Sequence, residues 1–137
     1  MRLNIFYTLI LLALLTGCGG NGNVPLKGTV TFIDDGTPLT QGTVAFRKDG
    51  KISRGSIKED GTFIVGTEKE TDGLPPGNYQ IYISGSEKQI VVDAEVGVYN
   101  YEPQISRKYE NPETSGLSVE VNASMKTHDI QVDRFKK

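Results

Sequence analysis

From Leu26 onward the apolar residues recur at every second position, and this restricts the chain to β-strands with one buried face. Val30 and Phe32 alternate with Thr29, Thr31 and Ile33, and Val44 and Phe46 share one face of the next run. Phe63 and Val65, then Tyr79, Ile81 and Ile83, then Leu117, Val119 and Val121 repeat the pattern, and Ile130 and Val132 close it. No stretch carries a helical period, and no internal repeat is present. Successive side chains of a strand point to opposite faces, so such alternation sorts one set inward and the other to solvent.

Turn residues divide the runs. Asp34-Asp35-Gly36-Thr37-Pro38 and Lys48-Asp49-Gly50 each contain Asp-Gly, a pair suited to tight hairpin turns. Glu59-Asp60-Gly61 is read as a hairpin turn joining strands at 54–58 and 62–67. Leu74-Pro75-Pro76-Gly77 has no place in a sheet interior, because proline cannot donate to the ladder. A further strand is read at 89–92, and residues 94–116, with breaks at Glu102-Pro103 and Asn111-Pro112, are read as irregular. Seven or eight short strands with frequent turns predict an all-β sandwich over residues 26–135. A small barrel has the same periodicity. The inward set is Val30, Phe32, Val44, Phe46, Phe63, Val65, Tyr79, Ile81, Ile83, Val119, Val121, Ile130 and Val132.

The N-terminus reads differently. Arg2 precedes an apolar run from Ile5 to Leu15, a length that suits a signal-peptide core and falls short of a bilayer span. The run ends in Leu15-Thr16-Gly17-Cys18, which resembles the bacterial lipobox. That resemblance implies removal of residues 1–17 and a diacylglycerol-modified Cys18. Cys18 is the single cysteine of the chain, so no disulfide within it is available. Residues 18–25, rich in glycine and asparagine, are read as a flexible tether. The expected location is the cell envelope, with the membrane as a partner through the lipid. Gly19, standing where aspartate marks inner-membrane retention in some Gram-negative bacteria, slightly favours the outer membrane.

Arg2 leaves with the leader, so the 15 Lys+Arg become 14 against 17 Asp+Glu. The only basic run is Arg134-Phe135-Lys136-Lys137, read as a solvated terminus. A chain of this charge has no electrostatic footprint for nucleic acid.

Gly28-Thr29-Val30, Gly36-Thr37-Pro38-Leu39 and Gly42-Thr43-Val44-Ala45-Phe46 follow one another along the chain. Gly55-Ser56-Ile57-Lys58-Glu59-Asp60-Gly61-Thr62-Phe63 and Leu74-Pro75-Pro76-Gly77-Asn78-Tyr79-Gln80-Ile81 continue the series. This order of motifs resembles carboxypeptidase-regulatory-like, or transthyretin-like, domains, whose opening the first three look like. The stretch from Lys108 to Val121 is similar to a subgroup of small bacterial lipoproteins of this kind, while 86–101 departs from the pattern as an extra strand and loop. The resemblance implies a prealbumin-like, seven-stranded Greek-key sandwich without intrinsic catalysis, used as an appendage, adhesion unit or envelope module.

Catalytic chemistry finds few candidates. His128 is the only histidine and is read as an exposed strand residue; no glycine-flanked serine elbow accompanies it. A zinc site fails on ligand count. Asp34-Asp35, Glu59-Asp60 and Glu68/Glu70/Asp72 lack the spacing of a calcium loop and are read as solvated turn acids. No cofactor or enzymatic activity is expected. The remaining candidates are Tyr99, Tyr101 and Tyr109, which can anchor a protein partner or stack on sugar rings. Packing of one or two of them over the sheet edge is the competing reading. The expectation is therefore a lipid-anchored, non-enzymatic envelope module with a structural or protein-binding role. The alternative is a carbohydrate-binding lipoprotein using those tyrosines.

Overall fold

A computed structural model describes residues 22–137. The leader, the Leu15-Thr16-Gly17-Cys18 motif and the first half of the expected tether lie outside these residues. Among the described residues nine strands form in chain order: β1 (Lys27–Phe32), β2 (Thr43–Lys48), β3 (Lys51–Ser56), β4 (Thr62–Ile64), β5 (Gly77–Ser84), β6 (Lys88–Asp93), β7 (Val98–Glu102), β8 (Leu117–Val121) and β9 (Ile130–Val132). A 3-10 turn, Arg107–Glu110, precedes β8.

Seven of the strands make a sandwich. One sheet has the order β3-β2-β5-β8 and the other β4-β1-β9; β6 and β7 pair only with each other. The chain passes repeatedly between the two sheets, as the expected Greek-key sandwich requires, and β9 returns to lie parallel to β1 with Val30 opposite Ile130. Every residue of the predicted inward set is buried. Phe46 of β2 meets Phe63 of β4 across the interior at 6.2 Å between ring centroids, and Tyr79 of β5 packs edge-on against Phe46 at 6.3 Å. Tyr79 stays satisfied in this position because its hydroxyl donates to the carbonyl of Pro75 at 2.7 Å.

The turns correct the sequence reading in one respect. Asp49 and Gly50, both at positive φ, make the two-residue hairpin between β2 and β3, with Lys48 opposite Lys51. The turn at Asp60-Gly61 instead carries the chain from one sheet to the other, because β4 pairs with β1 and not with β3. Gly55 permits this crossing: a Cβ there would lie 2.7 Å from the carbonyl oxygen of Ile64. Beyond β4, Arg54 and Gly66 keep a ladder contact across the corner.

Core residues also come from outside the strands. Val24, Leu26, Leu39, Ile57, Leu74 and Ile105 are all buried. Val24 exchanges backbone hydrogen bonds with Leu74, so the fold begins before residue 26. At the other end Arg134 is not a solvated tail. Its guanidinium lies 3.8 Å from the Phe32 ring centroid, and it donates to Asp34 at 2.9 Å and to Asp35 and Thr37 at 2.8 Å.

Candidate functional site

The β6–β7 hairpin occupies part of the segment read as irregular, and Val98–Glu102 is a strand. The hairpin springs from the end of β5. Gln104 closes its base by donating its side-chain amide to the Ser86 carbonyl at 2.6 Å, and Gln41 reaches the Glu87 carbonyl. Gln89 lies opposite Tyr101 and Val91 opposite Tyr99, so these four side chains share one face. A register shift between Val91 and Asp93 leaves Val92 as an extra residue. Asp93 then orders the tip by accepting the N–H of Glu95 at 2.9 Å.

This element violates the one-buried-face rule that governs the rest of the chain. Val91, Val92, Val96, Val98, Tyr99 and Tyr101 are between 46% and 72% exposed. Three of them, Val91, Tyr99 and Tyr101, stand together on one face of the hairpin. The same segment is acidic: residues 87–102 contain Lys88 against Glu87, Asp93, Glu95 and Glu102. That excess of three equals the net charge of the described residues, 14 Lys+Arg against 17 Asp+Glu, so the rest of them are balanced.

The three candidate tyrosines separate. Tyr99 and Tyr101 lie together on the hairpin, two residues apart on one strand and therefore co-facial. Tyr109 is 3% exposed and belongs to the core. Its hydroxyl donates to the Asp133 carboxylate at 3.0 Å and accepts the Asp133 N–H at 3.2 Å, pinning the 3-10 turn to the C-terminal segment. Tyr109 is thus a loop anchor, withdrawn from the exposed surface.

His128 departs from its expected place. It precedes β9, is only partly exposed, and burial lowers the pKa of its ring. Its neighbour Asp129 accepts the Thr29 N–H at 3.0 Å. The buried hydroxyls have structural partners: Ser53 bonds Thr67 and Ser115 donates to the Ile81 carbonyl. The acidic turns hold backbone. Asp72 accepts from the N–H groups of Thr67, Glu68 and Lys69, and Asp60 accepts from the backbone and hydroxyl of Thr62. Among the described residues no group of three or more His, Cys, Asp or Glu is placed to hold a metal.

A second surface feature was not legible from motifs. An open groove of about 550 Å³ runs where β3 and β4 part, with Ile52 and Ile64 on its walls. Arg54, Lys58 and Lys69 line it, together with Glu68 and Glu70. None of these three cations forms an ion pair among the described residues.

No family model matches the sequence, and no curated protein matches it. Among solved structures the chain is similar to the major pilin subunit BcpA of Bacillus cereus, with a TM-score of 0.50 and 15% identity. That match covers 83% of this chain and 30% of the pilin. A second structure of the same pilin gives the same score and identity over 84% of this chain. A DUF3823 family protein from Bacteroides ovatus aligns at a TM-score of 0.42 and 18% identity, covering 80% of this chain and 44% of the other. The chain spans less than a third of the pilin's length. At 15% identity the shared property is the β-sandwich fold.

Proposed function

We propose that the chain is a lipid-anchored, non-enzymatic module of the cell envelope that binds protein through the β6–β7 hairpin. One observation carries this reading: a two-stranded element outside both core sheets displays valines and tyrosines to solvent. Tyrosine is enriched among the residues that dominate protein interfaces, because a rigid ring supplies area at small entropic cost. The anchor is supported by the lipobox-like Leu15-Thr16-Gly17-Cys18, which would hold the module at a membrane surface. Likeness to a pilin subunit is compatible with a structural role outside the cytoplasm, at the level of fold.

Photo-crosslinking amino acids placed at Tyr99 and Val91 in the intact lipoprotein test the docking role. Discrete adducts are expected from these sites and not from Glu120 on β8; equal labelling from all three would end the reading. Intact mass analysis of membrane-derived protein tests the anchor. A product beginning at acylated Cys18 is expected, whereas a free thiol or a chain beginning at Met1 removes the anchor. The carbohydrate reading keeps one specific support, the co-facial Tyr99 and Tyr101. It requires a glycan-array signal that disappears in the Tyr99→Ala, Tyr101→Ala double variant.

A further inference from the structure

We infer that the open edge of β7 takes up an extended segment of a partner protein as a third strand, one whose apolar residues alternate with lysine or arginine. This rests on the hairpin being the docking element, and adds how it binds and what it selects.

β6 and β7 pair only with each other, so each leaves one edge of backbone groups without a strand partner. Such an edge is a template for another chain, and folded proteins blunt it with bulges, lysine or proline. β6 carries two of these devices, the extra residue Val92 and Lys88. β7 carries none of them: Val98-Tyr99-Asn100-Tyr101 is free of charge and proline, and its register against β6 is unbroken from Tyr99 to Glu102. Every residue of β7 is exposed, so the body of the domain leaves it uncovered.

In an antiparallel ladder, alternate residues turn their N–H and C=O away from the partner strand. Tyr101 is one of these by its hydrogen bond, since its N–H donates to Oδ1 of the adjacent Asn100 at 2.9 Å. A donor engaged with β6 has no need of that side chain. Tyr99, two residues earlier, turns the same way. The outer edge therefore offers the N–H and C=O of both tyrosines, and an incoming carbonyl has only the Asn100 side chain to displace.

The register also sets which side chains suit the guest. Tyr99 and Tyr101 share a face with Gln89 and Val91, so guest residues beside them pair best when β-branched or aromatic. The alternate guest residues stand beside Asn100 and Glu102 on the other face, which also carries Asp93. Lys88 faces Glu102 from β6 yet makes no ion pair among the described residues. Glu87, Asp93, Glu95 and Glu102 against Lys88 leave the hairpin acidic, which favours a cationic guest. A second copy's β7 in that place would bring two acidic ribbons together.

The full chain in neutral detergent is titrated with the labelled, end-blocked peptide Lys-Val-Lys-Val-Lys-Val-Lys, with affinity read by fluorescence anisotropy and amide exchange by NMR. Saturable binding that slows exchange of the Tyr99 and Tyr101 N–H groups is the expected result. A peptide with its lysines and valines segregated should bind at least ~tenfold more weakly, and one with glutamate for lysine should not bind. Tyr101→Pro and Tyr101→Ala both lose the ring, but only the first loses the N–H, so Tyr101→Pro should bind ~tenfold more weakly than Tyr101→Ala. Should either variant unfold, amide exchange in the unaltered chain still decides. Absence of binding, binding without protection of those amides, or indifference to peptide charge or pattern overturns the inference, as does equal affinity of the two variants. Photo-crosslinks from Tyr99 to an envelope protein alongside any of these failures leave the docking role standing. A hairpin that neither binds the peptide nor crosslinks removes both.

Discussion

Gly28 sits where three segments converge: a Cβ there would lie 2.0 Å from the His128 carbonyl oxygen and 2.8 Å from the Phe63 ring. Gly28→Ala should therefore cost about 2–3 kcal/mol, read as a lower urea midpoint; an unchanged midpoint would show that β1 yields. Tyr109 and Tyr99 give opposite expectations. Tyr109→Phe deletes a buried hydroxyl pair with Asp133 and should cost about 1 kcal/mol of stability with adduct formation intact. Tyr99→Ala should leave stability within about 0.5 kcal/mol and impair docking. Asp35 sets an acid limit. The hydroxyl and N–H of Thr37, helped by Arg134, lower its pKa from 3.8 to about 2. A carboxylate depressed in the folded state contributes stability above its unfolded pKa and loses it as pH falls through the folded value. The urea midpoint should thus fall between about pH 4 and pH 2, with a shallower fall in Asp35→Asn. Half of this arrangement was legible: Asp35 and Thr37 are two residues apart in a turn, a spacing at which a carboxylate commonly holds backbone. The other half was not, since Arg134 arrives from the far end of the chain.

Strands were legible one element at a time, whereas their partners were not. Eight of the nine strands were read from the sequence; seven of them have a buried face that the residues must mark, whereas β6, read at 89–92, has none. β7 was missed because neither of its faces is buried, so Val98, Tyr99 and Tyr101 are not sorted against polar neighbours. The same property makes the hairpin dispensable to the fold. Replacing residues 87–103 by a short Gly-Asn-Gly link between Ser86 and Gln104, which already touch, should change stability by less than about 1 kcal/mol. A loss of several kcal/mol in a urea titration would show that the arm packs on the body. Asp49 and Gly50 were legible as a turn because both adopt the positive φ that this dipeptide tolerates. Asp60-Gly61 carries the same dipeptide signal, yet it changes sheets; a local signal specifies the bend and not the strand that follows it.

The molecule as a whole rests on one core shared by two sheets. Among the described residues no buried side-chain nitrogen or oxygen lacks a hydrogen-bond partner. Phe63 joins β4 to Phe46 of the opposite sheet, so Phe63→Ala should cost about 3–5 kcal/mol. That is a large share of the roughly 5–15 kcal/mol typical of a domain, and a single cooperative transition at a much lower midpoint is the expected record. Strand class and the inward residues could be read without coordinates, because period-two burial is a local property written at each position. Tyr99 and Tyr101 could be marked as candidates in the same way. Three-dimensional packing was needed to make Tyr109 an anchor, to stack Arg134 on Phe32, and to set Ile64 on the wall of an open groove of mixed charge. Each of those depends on segments far apart in the chain meeting at one place, and the spacing of residues along a strand carries no record of which distant segment will arrive.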